Sequence, residues 1–503
     1  MVNSIFRWIM KKRIHQIELF MKYPLEVQDE WFHDLISSAQ ATEWGKRYGY
    51  ETICSVEEFK TNVPIQSYES LKPDIERMIL GEQNILWPSP VKWFAKSSGT
   101  TADRSKFIPV SEEALEDCHY KGGKDLLSIY CHNRPETEIF KGKSLLLGGS
   151  RSMHAMGSTM QGDLSAIILE NLPFWAEYRS VPGKEVALHP DFEEKIARIA
   201  ELSVDENITS LSGVPTWNLV LAKRMMQMTG KSNLLEIWPN LELYFHGGVS
   251  FKPYREQFKK LIPSDRMYYL ENYNASEGYF AIQDRSDDES MLLMLDYGIY
   301  FEFLPIEQLD DPNPQTLSLE QVELDKNYAI IISTNGGLWR YMIGDTVKFT
   351  SLYPFRIVVT GRTKQFINTF GEELMVDNAE EALKKASLET NAQVREYTAG
   401  PIYLKDDGEA GGHEWIIEFE VMPNHPETFC KSLDQNLRKI NSDYDAKRYK
   451  DMALKEPLIH FAPEGTFYHW MKVRGKLGGQ NKVPRLSNDR NHLESLLKLI
   501  SKL

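Results

Sequence analysis

The sequence predicts an α/β protein with a smaller α+β unit at its C-terminal end, and three observations carry that expectation. Short apolar runs bounded by Gly, Pro or Asn alternate with helical segments through the first half of the chain, the pattern of a partly parallel sheet. A strand-rich stretch follows, and then a mixed stretch begins after a polar break at Gly361-Arg362-Thr363-Lys364. At 503 residues the chain is also too long for one ordinary core, so the boundary falls near that break, giving units 1–362 and 363–503.

Taken in order, residues 5–20 read as an amphipathic helix packed on the protein through Ile17, Leu19 and Phe20. The segment Ile5-Phe6-Arg7-Trp8-Ile9-Met10-Lys11-Lys12-Arg13 mixes apolar and basic residues, unlike a secretory leader. It also suits a helix lying on a membrane surface. No segment reaches the ~20 apolar residues of a membrane span. Helices are expected over 31–42, 56–62 and 68–80. Runs 144–147, 241–245 and 267–270 read as buried strands, with helices over 192–203, 217–229 and 254–261 between them. Strands follow at 291–295, 299–303, 329–333, 346–349 and 357–360. The last unit reads as helix 372–388, strands 396–404 and 415–421, helix 426–440 and strand 457–461.

Composition narrows the partners. A net charge of −14 excludes nucleic acid, which needs a basic footprint, while 42% hydrophobic and 11% aromatic residues describe a well-buried globular chain. An acidic enzyme that binds a polyphosphate must gather its cations locally and use a metal. Cys54, Cys118, Cys131 and Cys430 are widely spaced, without metal-ligand or disulfide patterning, which suits a reducing cytoplasm.

Four motifs stand out. Ser97, Ser98, Thr100 and Thr101 surround Gly99, with Arg104 and Lys106 close behind, a donor array suited to phosphate oxygens although no P-loop pattern is present. The same composition also describes a polar surface loop. Tyr273-Asn274-Ala275-Ser276-Glu277-Gly278 follows an expected strand, so it lies at the ligand-binding end of a sheet. Tyr273 is placed there to pack on an adenine and Glu277 to hold Mg²⁺; a turn with a solvated glutamate is the plainer alternative. Tyr341-Met342-Ile343-Gly344-Asp345 precedes another expected strand, and Asp345 suits ribose hydroxyls or a tight Gly-Asp turn. Near the end, Gly479-Gln480-Asn481-Lys482-Val483-Pro484-Arg485 offers a lysine in a glycine-bearing loop, with Lys476 competing for its role.

The order of these motifs resembles the adenylate-forming superfamily of acyl-CoA synthetases, luciferases and peptide-synthetase adenylation domains. It is more closely similar to the auxin-inducible family of plant acyl acid-amido synthetases and their bacterial relatives. The signatures that carry this likeness are Ser98-Gly99-Thr100-Thr101 with Lys106, Tyr273 to Glu277, and Leu338-Trp339-Arg340-Tyr341-Met342-Ile343-Gly344-Asp345. Val63-Pro64, Ile75-Glu76-Arg77, Phe301-Glu302-Phe303 and Gln480 to Arg485 extend it over nearly the whole chain. Ala275 and Gly278 depart from the plant pattern, which often has Ser and Cys there.

The resemblance implies a large adenylate-forming domain and a small mobile C-terminal lid. It implies ATP and Mg²⁺ as cofactors, and a carboxylic acid and an amine, that of an amino acid, as the small-molecule substrates. Ser98, Thr100 and Thr101 would hold the phosphates, and Ser97, Gly99, Lys106, Tyr273 and Ser276 would belong with them to the nucleotide site. Glu277 would hold Mg²⁺, Asp345 with Arg362 would bind the ribose, and Gly247-Gly248-Val249 would flank the adenine. Lys364 would sit at the hinge and Lys482 would reach the adenylation centre, while Val214-Pro215-Thr216-Trp217 falls where the acyl pocket is expected. Trp175, Phe174 and Trp217 suggest an apolar or aromatic acid. Transfer to a thiol, or nucleotide binding without catalysis, are the alternative functions.

Overall fold

A computed structural model describes residues 2–97, 106–148, 153–189, 192–249, 251, 254–309, 311–363, 365–404, 410–448, 454–474 and 483–501, apart from the side chains of 2–9, 11, 174, 175 and 192. Ser98 to Thr101, Arg104, Lys364, Lys476 and Gly479 to Lys482 therefore lie outside the described residues, as do the Phe174 and Trp175 side chains.

Among the described residues the centre of the molecule is an eleven-stranded sheet of two characters. One half is parallel: Ser180–Val181, Lys143–Leu147, Ile208–Gly213, Leu243–His246 and Tyr268–Ala275, in that spatial order. The other half is antiparallel and runs through Gly278–Ile282, Met291–Leu293, Phe355–Arg362, Tyr341–Leu352, Asn327–Thr334 and Ile299–Pro305. Tyr268–Ala275 belongs to both, pairing Phe245 with Leu270 on its parallel side and Asn274 with Tyr279 on the other. The pivot strand thus ends where the carboxyl edge of the parallel half meets the antiparallel half.

The helices that flank this sheet start and stop for local reasons. Pro215 opens one of them: its missing N–H costs nothing in a first turn, so the helix runs Pro215–Thr229 and begins two residues before the expected 217. The N-terminal helix spans Val2–Lys22 and buries Met10, Ile14, Ile17 and Phe20, whereas Leu19, expected inward, is 55% exposed. Arg13 on this helix grips Asp125 through Nε at 2.8 Å and Nη2 at 2.7 Å, tying it to the helix Lys121–Asn133.

A second sheet of four strands lies outside the main one, in the order Lys106–Val110, Trp93–Ser97, Thr159–Gly162, His154–Met156. Ser97 stands opposite Lys106, so both ends of the 98–105 segment are anchored at one place.

Beyond Arg362 a three-stranded sheet, Gln393–Ile402, Gly412–Val421 and Leu458–Ala462, packs with helices Val376–Thr390 and Pro426–Ile440. The first of these helices begins four residues later than the expected 372. Glu372 is buried in the preceding turn, where it accepts the N–H groups of Thr369 and Phe370, and Leu374–Met375 pairs with Phe366–Ile367. One apolar cluster joins Leu211, Tyr244 and Phe258 to Phe370, Ala379 and Trp415 beyond Arg362.

Candidate functional site

The carboxyl edge of the parallel half and the inner strands of the antiparallel half enclose a cleft of about 480 Å³. Ser97, Gly248, Val249, Tyr273, Ser276, Glu277, Asp345 and Arg362 all line it. From beyond Arg362 come Asn368, Thr369, Glu373, Tyr403 and Asn488.

Each position has a backbone reason. Gly278 pairs with Ala275, so Ser276 and Glu277 form the tip of a tight hairpin and the carboxylate projects from the pivot strand's end. Glu277 therefore sits on a turn between strands, while Tyr273 lies within the strand rather than after it. Burial pushes the Glu277 carboxyl up to about 6; Lys106 and Arg362 pull against that shift and Asp345 adds to it.

Asp345 corrects the sequence expectation. It does not precede a strand but lies inside Tyr341–Leu352, directly opposite Arg362 on Phe355–Arg362. The strand stays continuous because Gly344 supplies φ +97°, next to a shift in register, and this turns Asp345 toward the cleft. Arg362 Nε donates to Asp345 Oδ1 at 2.7 Å, and Tyr273 Oη donates to Oδ2 at 2.6 Å. The Tyr273 ring is buried against Phe280 at a centroid distance of 4.9 Å, and burial, then Asp345, holds its hydroxyl well above the ordinary tyrosine range.

The Gly247-Gly248-Val249 loop leaves the strand Leu243–His246 beside the pivot strand. A Cβ at Gly247 would stand 2.5 Å from the Asn272 carbonyl oxygen, so only glycine permits this approach. Phe251 anchors the loop by stacking on His246 at 4.1 Å, and burial depresses His246 to about 3, keeping the imidazole neutral. Asn368 Nδ2 reaches the Gly248 carbonyl at 3.2 Å from the other side.

Of the remaining expected residues, Lys106 is near Glu277 and lies 5.8 Å from the Tyr68 ring centroid. Val214 caps the helix Pro215–Thr229 and would stand 3.9 Å from a Cβ at Gly248. Thr216 and Trp217 are buried off the cleft, with Lys447 Nζ 4.2 Å over the Trp217 ring. Glu373 and Phe251 were not singled out in the sequence; neither belongs to a motif, and only the fold brings them to the cleft wall.

A metal fits this donor set in one way. No three His, Cys, Asp or Glu side chains among the described residues cluster as a metal cage. A single half-buried carboxylate beside a second one suits Mg²⁺, which completes its shell from substrate phosphates and water.

Solved structures share this architecture. The GH3.15 acyl acid amido synthetase superposes with a TM-score of 0.61 at 16% identity, covering 98% of this chain and 96% of that one. A 2-hydroxyisobutyryl-CoA ligase in complex with 2-HIB-AMP and CoA gives 0.57 at 11% identity, over 95% and 92%. The fold is thus one that these two proteins share. Family models cover most of the chain: the GH3 family N-terminal domain matches residues 13–267, the central domain 292–362 and the C-terminal domain 377–491. The chain belongs to the GH3 family.

Among curated relatives, the indole-3-acetic acid-amido synthetase GH3.3 of Arabidopsis thaliana is 25% identical over 540 residues, 91% of this chain and 89% of that protein. The jasmonoyl–L-amino acid synthetase JAR4 of Nicotiana attenuata is 22% identical over 567 residues, covering 97% and 95%. The 4-substituted benzoates-glutamate ligase GH3.12 of Arabidopsis thaliana is 22% identical over 559 residues, covering 93% and 94%.

Proposed function

We propose that this protein is an ATP-dependent acyl acid-amido synthetase: it adenylates a carboxylic acid and passes the acyl group to the amine of an amino acid. The observation that carries the reading is the meeting of Glu277, Asp345 and Arg362 in one cleft, together with membership of a family whose named relatives join acids to amino acids.

In the first step a carboxylate oxygen attacks the α-phosphorus of ATP, and the bond to the β-phosphate oxygen breaks to release pyrophosphate. In the second, the amine nitrogen attacks the acyl carbon, the amide forms, AMP departs and the amine loses a proton. The first step sets a carboxylate against a polyanion, so neutralising charge aimed at the phosphates is the main catalytic demand. Ser98, Gly99, Thr100 and Thr101, with Ser97 and Lys106 at the anchored strand ends, bind the phosphates. Glu277 would hold Mg²⁺, which would supply charge neutralisation at the phosphate oxygens. Asp345, fixed by Arg362, takes the ribose hydroxyls, and Gly247, Gly248 and Val249 border the adenine. Lys482 enters from the small unit at the adenylation step, and Val214, next to Gly248, borders the acyl group, whereas Pro215, Thr216 and Trp217 lie behind it off the cleft. Residues 1–362 act as the catalytic body and 363–503 as a mobile lid that keeps water from the acyl-adenylate. The cytoplasm, which keeps the four free thiols reduced, is the compartment assigned.

The test is a hydroxylamine-trapped adenylation screen across carboxylic acids, followed by offering amino acids or coenzyme A to the enzyme with its best acid. Mass spectrometry should show an amide with an amino acid. Thioester formation without amide would replace the acceptor, and no hydroxamate with any acid would remove adenylation itself.

A further inference from the structure

A second cavity, of about 390 Å³, shares no lining residue with the cleft. Trp31 and Asp34, three residues apart and so on one face of the helix Pro24–Ala39, form one wall. Glu113 and Asp117 form another, with Asp117 on the π-helical segment Ala114–Tyr120, a widened winding that recurs where side chains serve a site. Trp87 and Asn335 complete the lining used here. Ser89 stands just before Trp93 and Glu113 just after Val110, which puts the cavity at the end of that strand pair away from segment 98–105.

Three carboxylates border this cavity, and no Lys, Arg or His does. Among the described residues none of the three forms an ion pair. Asp34 and Asp117 are exposed, whereas Glu113 is half-buried. Glu113 Oε1 accepts from the Ser89 hydroxyl, and its Oε2 is buried without a partner among the described residues. Trp87 Nε1 and Asn335 Nδ2 are likewise buried and unpartnered, each on a residue only 4% exposed. Folded proteins rarely leave such groups unsatisfied, because each forfeits its bonds to water. The neighbouring Trp339 indole, by contrast, donates to the Leu86 carbonyl at 3.0 Å.

We propose that this cavity binds a small primary alkylammonium ion, its ammonium on Glu113 and its methylenes along the indoles of Trp31 and Trp87. The buried Oε2 accepts one N–H of the ammonium, Asp34 and Asp117 add negative potential, and the indole faces attract both the charge and the apolar stem. A bare metal ion does not fit, because no three carboxylates among the described residues stand close enough to cage one. A quaternary ammonium does not fit either, since it has no N–H for Oε2. An oxygen at the far end of the ligand would take the Trp87 and Asn335 N–H groups, whereas a second ammonium would take Asp34 or Asp117. The cavity is separate from the cleft, so this site stands whether or not the cleft is that of a ligase.

The test is calorimetric titration of the full chain with 4-amino-1-butanol, 1,4-diaminobutane, tetramethylammonium and butan-1-ol, with and without saturating ATP. We expect at least one of the two primary amines to bind with a Kd of about 1 mM or tighter, and neither of the other compounds to bind at about ten times that concentration. The tighter of the two amines identifies the far end as an oxygen or a second ammonium. ATP should change the amine's affinity by no more than about twofold, as expected of separate sites. Glu113→Gln keeps an acceptor for Ser89 while removing the charge, and should weaken the amine at least about tenfold. Asp34→Asn, at an exposed position, should weaken it about threefold and keeps the test open if Glu113→Gln fails to fold. Binding of neither amine would overturn the proposal, as would tetramethylammonium binding equally well or wild-type affinity in both variants. Displacement of the amine by ATP would overturn it too, by moving the amine into the cleft.

Discussion

At the scale of single residues, Glu277 carries the heaviest load. Burial raises its carboxyl to about 6 against 4.5 for the free side chain, so the folded protein binds this proton more tightly than the unfolded chain does. Stability from this group is therefore full at low pH and falls as pH rises from about 4.5 through 6. Glu277→Gln removes that cost: the variant should be more stable than wild type by about 1 kcal/mol at pH 7.5, with the gain vanishing below pH 4.5 in denaturant titrations. The same change should lower pyrophosphate exchange at least a hundredfold. In the wild type, kcat/KM for ATP should drop about tenfold per pH unit below an apparent value near 6, since the metal-free carboxylate must be ionised to hold a cation. An acid limb near 4.5 would assign the titration to another group.

At the scale of elements, the strands at 144–147, 241–245 and 267–270 and several helices were legible, because 3.6-residue periodicity and short apolar runs are local signals, whereas the parallel strand Ile208–Gly213 and the helix Lys121–Asn133 were not anticipated. Gly278–Ile282 was not legible, since it is buried along its whole length and shows no alternation. Asp345 looked like the start of a strand because Gly-Asp is ordinary turn chemistry; here the left-handed Gly344 bends a strand that continues through it. The four-residue delay of the helix at Val376 depended on Glu372 being captured by backbone N–H groups, a contact no spacing announces. The motifs themselves were legible, whereas Phe251 and Glu373 reached the cleft only through sheet order and the turn beyond Arg362.

Two glycines test this element-level account. Gly247→Ala places a carbon 2.5 Å from the Asn272 carbonyl, a clash with backbone that cannot give way cheaply. It should raise KM for ATP more than it lowers stability, because the loop can retreat from the pivot strand but not stay on the cleft wall. Gly344→Ala has room, with its nearest neighbour at 3.7 Å, and suffers only from its positive φ. It should cost about 1 kcal/mol in stability, seen as a lower midpoint in urea with an unchanged slope.

At the scale of the whole molecule, the sheet explains why one cleft gathers residues far apart in the chain: Glu277 ends the parallel half and Asp345 enters from the antiparallel half. The part beyond Arg362 closes one side of that cleft and shares an apolar cluster with the large sheet's helices. Lys482→Ala, in this account, should abolish pyrophosphate exchange while nucleotide affinity stays within about threefold, because its contribution is confined to the transition state. Wild-type exchange in that variant would shift the role to Lys476.

The most direct measurement is acid-dependent ATP–pyrophosphate exchange by the wild type and by Glu277→Gln and Asp345→Ala, using the best acid from the screen. The account predicts exchange that requires acid and Mg²⁺, is lost with Glu277→Gln, and shows a raised KM for ATP with Asp345→Ala. Undiminished exchange in both variants would contradict it, because the cleft they share would then not be where ATP reacts.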